Sequence, residues 1–335
     1  MRNPPYFLFF ILSLLFFSCT PLPEVIGRLF DVYVLTNYPE AIKDTLSSLL
    51  EEEILTPQPE KMFRLRFRPL SQISVYSQFP NLFLVGTISD TILKDLIGLK
   101  REVVERETFA FFITKLEIKK SGSPSQFFIF VAKDREDLAR GLRRYKERIR
   151  YSLENHLSER IYHLTYSQGE NLKAEERIKK YPFSLKIPKG FQISEKYVSG
   201  NFIYLFAHYP DRSIFIYWRD GERELNPEAI ITLRDSLTYL YYDGDYVARK
   251  YTNYQETQFG GVPAIKLQGV WQNDKEIIGG PFVAYALNYQ GRFYLIDGTL
   301  YNPGKKKLPN LLQLSVILST FSPAGSSPLP KNLEL

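Results

Sequence analysis

The chain has one cysteine and three histidines in 335 residues. That scarcity argues against a disulfide framework, an iron–sulfur cluster and a Cys/His zinc site. No HExxH, GxSxG, Walker-type or GxGxxG pattern occurs, and no repeat of fixed period is visible. After the first twenty residues no apolar run approaches the roughly twenty residues a membrane-spanning helix needs. What the chain has in quantity is phenylalanine (25) and tyrosine (23), which favour extended structure. With 44% hydrophobic and 24% charged residues the composition is that of a folded protein, long enough for two domains. No cofactor and no metal are expected.

The single cysteine stands in a telling place. Arg2 precedes an apolar run, Tyr6 to Phe17, interrupted only by Ser13, and the run ends in Phe17-Ser18-Cys19. Its length suits a signal-peptide core better than a membrane span. A small residue at Ser18 would admit a peptidase, and the Cys19 thiol is the group that can carry a lipid. This pattern resembles a bacterial lipobox, which implies a signal peptide over 1–18, acylated Cys19 as the new terminus and a tether over 19–27 with Pro21 and Pro23. Each acyl methylene would add about 0.8 kcal/mol of membrane anchoring. No acidic cluster follows Cys19, so the expected location is periplasm-facing on the cell envelope, at the outer membrane.

Two halves follow. Residues 28–166 read as an α/β domain with strands at Asp31–Thr36, Met62–Phe67, Asn81–Gly86, Phe109–Leu116 and Phe127–Val131. Helices are expected after Pro39, over 89–98, and as one long rod from Asp134 to Leu164. The polar stretch Gln168–Glu176 reads as the domain boundary. Residues 177–322 read as an antiparallel sheet with helices packed on it, and 323–335 as a tail. Strands are expected at Asn201–Tyr209, Ser213–Trp218, Ala264–Trp271, Pro281–Tyr289 and Arg292–Tyr301, with helices from Pro227 and over 307–321. The fold class is therefore α+β, with two α/β domains.

Few residues point to chemistry. The basic run on the rod (Arg135, Arg140, Arg143, Arg144, Lys146, Arg148, Arg150) is interleaved with Glu147, Glu154 and Glu159 and reads as a solvated face. His156 and His163 share that rod while His208 is remote. Asp243 and Asp245, and Asp274 and Glu276, are acids in turn compositions, where conformation alone explains them. Trp271 followed by Gly279-Gly280-Pro281 is the most distinctive local feature. Either bare backbone there admits a partner, or special turn angles accompany a core tryptophan. Lys305-Lys306-Lys307 is either a contact for anionic groups or a solvated loop.

The stretches Gly279–Val283 after Trp271, Asp297–Pro303, the triple lysine, Arg234-Asp235-Ser236, and Pro57–Glu60 ahead of Phe63 resemble a family of bacterial lipoproteins, the domain-of-unknown-function 4837 family. The resemblance is strongest from Pro263 to Phe321. It implies an envelope lipoprotein and brings no activity with it. The opening Tyr181 to Phe191 and the hairpin Gly291–Tyr294 also resemble PsbP-like domains, which implies an α/β/α sandwich for the second half. Together these readings make the chain a lipid-anchored, non-enzymatic binding or scaffold module. Its expected partners are the bilayer through Cys19 and an envelope protein or glycan, not nucleic acid; the expected contact residues are Trp271, Gly279, Gly280, Pro281, Lys305, Lys306 and Lys307. A carboxylate-using hydrolase of glycan or lipid and a carrier of hydrophobic ligand stand as alternatives.

Overall fold

A computed structural model describes residues 28–77, 79–116, 125–196 and 200–326. The expected signal peptide, Cys19 with its tether, the Lys119–Ser123 turn and most of the tail lie outside the described residues. Among the described residues no helix is long and apolar enough to cross a membrane.

The first domain runs β1 (Asp31–Leu35), α1 (Pro39–Leu50), β2 (Glu53–Ile54), β3 (Glu60–Lys61), β4 (Arg64–Arg68), α2 (Ile73–Tyr76), β5 (Asn81–Thr87), α3 (Thr91–Ile97), α4 (Arg101–Glu107), β6 (Phe109–Leu116), β7 (Ser125–Ala132), α5 (Asp137–Arg144) and α6 (Lys146–Thr165). Its sheet has the order β4-β1-β5-β7-β6, with β6 antiparallel to β7 and the other neighbours parallel. The centre is β5, buried along its whole length, as a parallel strand covered on both faces must be. One face carries α1, α5 and α6, and the other α3 and α4.

The expected single rod is instead two helices. They meet at Tyr145, whose backbone turns to φ −94°, ψ 8° while its amide still donates to the Gly141 carbonyl. Gly141 sits so close to the sheet that a Cβ there would lie 2.5 Å from Phe130 and 2.8 Å from Phe109. The Tyr145 ring packs on Phe109, Phe111 and Phe130. Close docking of α5 and the wedge of Tyr145 set the direction of α6, a helix of about 30 Å. Leu164, the last residue of the expected rod, is exposed.

The second domain runs α7 (Leu172–Ile178), β8 (Phe183–Ser184), β9 (Gln192–Ile193), β10 (Phe202–Ala207), β11 (Asp211–Asp220), α8 (Pro227–Tyr241), β12 (Tyr246–Phe259), β13 (Val262–Asn273), β14 (Ile278–Tyr289), β15 (Arg292–Tyr301), α9 (Leu308–Leu318) and β16 (Ser322–Pro323). Its large sheet is antiparallel, in the order β12-β13-β14-β15-β11-β10-β9. Helix α8 packs on one face and α9 with α7 on the other, which gives the expected α/β/α sandwich. The side-chain alternation of β10 shows the division: Phe202 and Tyr204 face α8, whereas Ile203 and Leu205 face α9. Two of the unexpected elements have a clear physical reason. The polar stretch read as a boundary forms α7, capped by the Asn171 side chain and held by buried Ala174 and Ile178. The longest strand, β12, is an edge strand with a bulge between Val247 and Thr252 and mostly exposed side chains, so it has no apolar alternation to read.

Helix α9 is buried all round. Leu311, Leu314, Ile317 and Leu318 belong to the second domain's core, while Leu308, Leu312 and Val316 pack with Leu153, Leu157 and Ile161 of the first. Glu60 of β3 accepts a 2.6 Å hydrogen bond from the Lys307 amide, so a first-domain carboxylate serves the N-terminal end of this helix. One element thus completes both cores.

Candidate functional site

The register of the large sheet gathers one set of ends. Asp211 pairs with Tyr301, Trp271 with Gly280, Asn273 with Ile278, and Tyr246 with Gln272. The β10–β11, α8–β12 and β13–β14 connections and the chain after β15 therefore emerge together. On the α8 side of this end lies a pocket of about 300 Å³. Its walls are partly aromatic, from Tyr204, Phe206, Tyr242, Trp271 and Tyr301, and partly polar, from His208, Asp211, Ser213, Asp245 and Thr299.

Behind Thr299 sits a buried ion pair. Arg234 of α8 donates from Nε to Asp297 Oδ2 (2.7 Å) and from Nη2 to Asp297 Oδ1 (3.3 Å) and Thr299 Oγ1 (3.2 Å). Thr299 Oγ1 in turn donates to Asp297 Oδ1 (2.8 Å). The guanidinium lies 4.0 Å from the centre of the Phe282 ring. Arg234 is 1% exposed and Asp297 0%. The pair welds α8 to β15, and it joins two of the stretches that carry the family resemblance, Arg234-Asp235-Ser236 and Asp297–Pro303. Asp235 adds a second tie: it accepts from the Val247 amide at 2.8 Å and pairs with Arg249. The buried face of α8 is thus Ile230, Ile231, Arg234 and Thr238, whereas Leu240 is exposed.

Two groups in the pocket wall are unusual. Asp245 is buried and receives Asn273 Nδ2 at Oδ1 (2.8 Å), and its carbonyl receives the Thr238 hydroxyl (2.7 Å). Burial pushes its carboxyl up to about 6, against the opposing pull of Asn273 and Arg234. The Tyr242 hydroxyl is buried beside Ser213 without closing a hydrogen bond, and burial raises it well above the ordinary phenol range.

The expected contact residues divide. Trp271 lines the pocket, with its indole N–H donating to the Leu300 carbonyl at 3.2 Å. Gly279 and Gly280 lie within β14 rather than in a turn, and neither has a positive φ. They are small for want of room: a Cβ on Gly280 would stand 1.9 Å from Leu300 O and 3.0 Å from Trp271 Nε1, and one on Gly279 2.7 Å from Trp271 O. Pro281 pairs opposite Val270 in the same strand. Gly280→Ala should therefore displace the indole and cost about 1–3 kcal/mol, the usual range for overpacking, read as a lowered Tm together with a changed tryptophan emission. Of the lysines, Lys305 and Lys306 are exposed, whereas Lys307 is buried at the start of α9.

The acids weighed for hydrolysis are apart in role: Asp243 is a left-handed turn residue, and Asp274 accepts from the Tyr246 hydroxyl. His156 is buried against the Pro80 carbonyl in the first domain, and His208 bonds Asp211 in the second. Among the described residues no group of three His, Cys, Asp or Glu side chains is placed to hold a metal. Sequence reading misses Tyr204, Tyr242 and Tyr301, and it sets Asp245 aside as a turn acid. A usable signal existed for the ion pair alone, since Arg234 interrupts the apolar stripe of α8 and Asp297 interrupts an otherwise apolar strand.

Residues 171–320 match the model of a protein family described as "Domain of unknown function (DUF4837)". The match covers the second domain and contains nearly all of the stretch from Pro263 to Phe321; Pro57–Glu60 falls outside it. No curated protein matches the chain. Among solved structures, cyanobacterial PsbP (CyanoP) from Synechocystis sp. PCC 6803 is 9% identical, with a TM-score of 0.32 over 43% of this chain and 88% of that one. LpqN of Mycobacterium tuberculosis, described as involved in cell envelope biogenesis, is 11% identical, with a TM-score of 0.26 over 42% and 83%. A protein from Bacteroides thetaiotaomicron VPI-5482 is 9% identical, with a TM-score of 0.29 over 43% of this chain, which spans 46% of that protein's length.

Proposed function

We propose that the chain is an envelope lipoprotein, anchored through Cys19, whose second domain is a non-enzymatic binding module that takes a small ligand or a partner's side chain into the pocket beside α8. The observation that carries the binding half is the pocket's mixed wall, with Trp271, Tyr301 and Tyr204 alongside buried Asp245 and Thr299. Its volume of about 300 Å³ stands at the lower end of the roughly 300–1,000 Å³ of small-molecule sites. That favours a compact ligand over an acyl chain. The anchoring half is supported by the residues around Cys19, the only cysteine present. The first domain, joined through α9, holds the module away from the bilayer.

Cys19→Ser tests the anchor. The parent should sediment with membranes and leave them only in detergent, while the variant should move largely to the soluble exported fraction. A variant that stays membrane-bound removes the lipid anchor from the reading. Binding is tested separately, by ligand titration followed at Trp271.

A further inference from the structure

We propose that the pocket beside α8 recognises a compact organic cation, an alkylammonium group, held between the aromatic rings and the carboxylate of Asp245. This rests on the reading of that pocket as a binding site and adds the class of its ligand.

Three observations converge on it. The first is the arrangement of rings. Tyr204 and Tyr242 meet edge-on at 5.1 Å, Phe206 continues that wall 6.0 Å from Tyr204, and Trp271 and Tyr301 lie 6.4 Å apart and line the same space. Aromatic faces around a small cavity attract a cation through their quadrupoles, most strongly where water is excluded. The second is the charge that faces it. Asp245 contributes from the α8–β12 connection, and Asp211, bonded to His208 at 2.7 Å, from the β10–β11 turn. Arg212 also borders the pocket, but its guanidinium is committed to the far face of the sheet, over Phe191 at 5.4 Å and bonded to Gln313. Arg234 is matched by Asp297. The third is the unpartnered, buried Tyr242 hydroxyl, an acceptor in the same wall.

Asp245 is held at a cost to folding. Its carboxyl is raised from the unfolded value to about 6, so the native state binds more protons than the unfolded chain between about pH 4 and 6, and stability falls as pH rises through that window. The groups that act on it are Asn273 and Arg234, which favour its ionised form, and Asp243 and Asp297, which oppose it. Above pH 6 the charge persists in a wall that disfavours it, and a bound cation would relieve that.

The test uses the full chain with its two tryptophan indole N–H signals followed by NMR. Trp271 lines the pocket, whereas Trp218 packs with Tyr181 and Phe183 on the opposite face and serves as an internal control. The probes are tetramethylammonium and n-butylammonium, compared with neopentyl alcohol and butyrate. The expected result is a saturable shift of the Trp271 signal alone, with the cations binding about tenfold tighter than the neutral probe. Affinity for the cations should fall about tenfold between pH 7.5 and 5 as Asp245 protonates near pH 6. His208 also borders the pocket, so the pH dependence is compared in His208→Gln, which should keep it, and in Asp245→Asn, which should lose it along with the preference for cations. Should Asp245→Asn not fold, Tyr301→Ala removes a ring without stranding a buried polar group and should weaken cation binding several-fold. Equal shifts with the neutral or anionic probe overturn the ligand class while leaving the pocket as a site. No Trp271 shift with any probe overturns the pocket reading itself.

Discussion

Asp297→Asn should lower the thermal midpoint by on the order of 10 °C, with Arg234→Met causing a loss of similar size. Both side chains are effectively out of solvent, and they face each other through two hydrogen bonds. Removing one partner strands the other charge in the core, which typically costs 3–5 kcal/mol, and at this size each kcal/mol moves Tm by about 2–4 °C. The stacking of Arg234 on Phe282 offers little relief, because Arg234 Nη1 already lacks a partner and the ring supplies no acceptor of carboxylate strength. The informative comparison is the double variant Arg234→Met, Asp297→Val. With neither charge left to desolvate, it should recover much of what either single change loses. Circular-dichroism melts of the four proteins close the cycle. Single variants that melt within a degree or two of the parent would mean that the pair is not the weld between α8 and the sheet. Because Thr299 bonds both members and also lines the pocket, the single variants should weaken ligand binding even at temperatures where the fold persists.

The same pair shows how far sequence reading reaches. Strands β5, β7, β10, β11 and β13 to β15 are legible because burial on one or both faces writes itself as an apolar run or an alternation. Helix α8 is legible from Pro227 and its stripe, with Asn226 as its cap. Strand β12 is not, because an edge strand open to solvent carries no such pattern. Helix α7 is short, and only Ala174 and Ile178 of its seven residues are buried, too few to show a period. The pocket was hardly legible at all. Its residues come from five strands and the α8–β12 connection, and only the register of strands, Asp211 opposite Tyr301 and Trp271 opposite Gly280, brings them to one end of the sheet. Trp271, the most distinctive local feature of the sequence, lines the pocket, and the glycines beside it answer a packing demand rather than a turn. The lipid-anchor reading of Cys19 is a matter of chemistry in residues 1–27, outside the described structure.

Helix α9 sets the other large expectation, because its two faces should be separable by mutation. Leu312 and Val316 look toward Leu153, Leu157 and Ile161, whereas Leu314 and Ile317 look toward the sheet, where Gly298 leaves so little room that a Cβ would lie 3.1 Å from Leu314 Cβ. Leu312→Asp places a carboxylate in an apolar seam, where desolvation costs several kcal/mol if it stays charged. The cheapest escape is to part the seam, since the opposite face of α9 is still held by Leu311, Leu314, Ile317 and Leu318. The expected outcome is that a single cooperative melt becomes two transitions, with the second domain retaining its own. Leu153 and Leu157 would then be exposed to water, and protease would enter the 167–171 connection. Leu314→Asp, two residues further on but on the other face, should instead unfold the second domain. Pro309 at the helix start and Glu60 at the Lys307 amide hold the orientation that makes this distinction possible. If Leu312→Asp and Leu314→Asp gave the same single, uniformly lowered transition, α9 would be part of one undivided core and not a hinge between two.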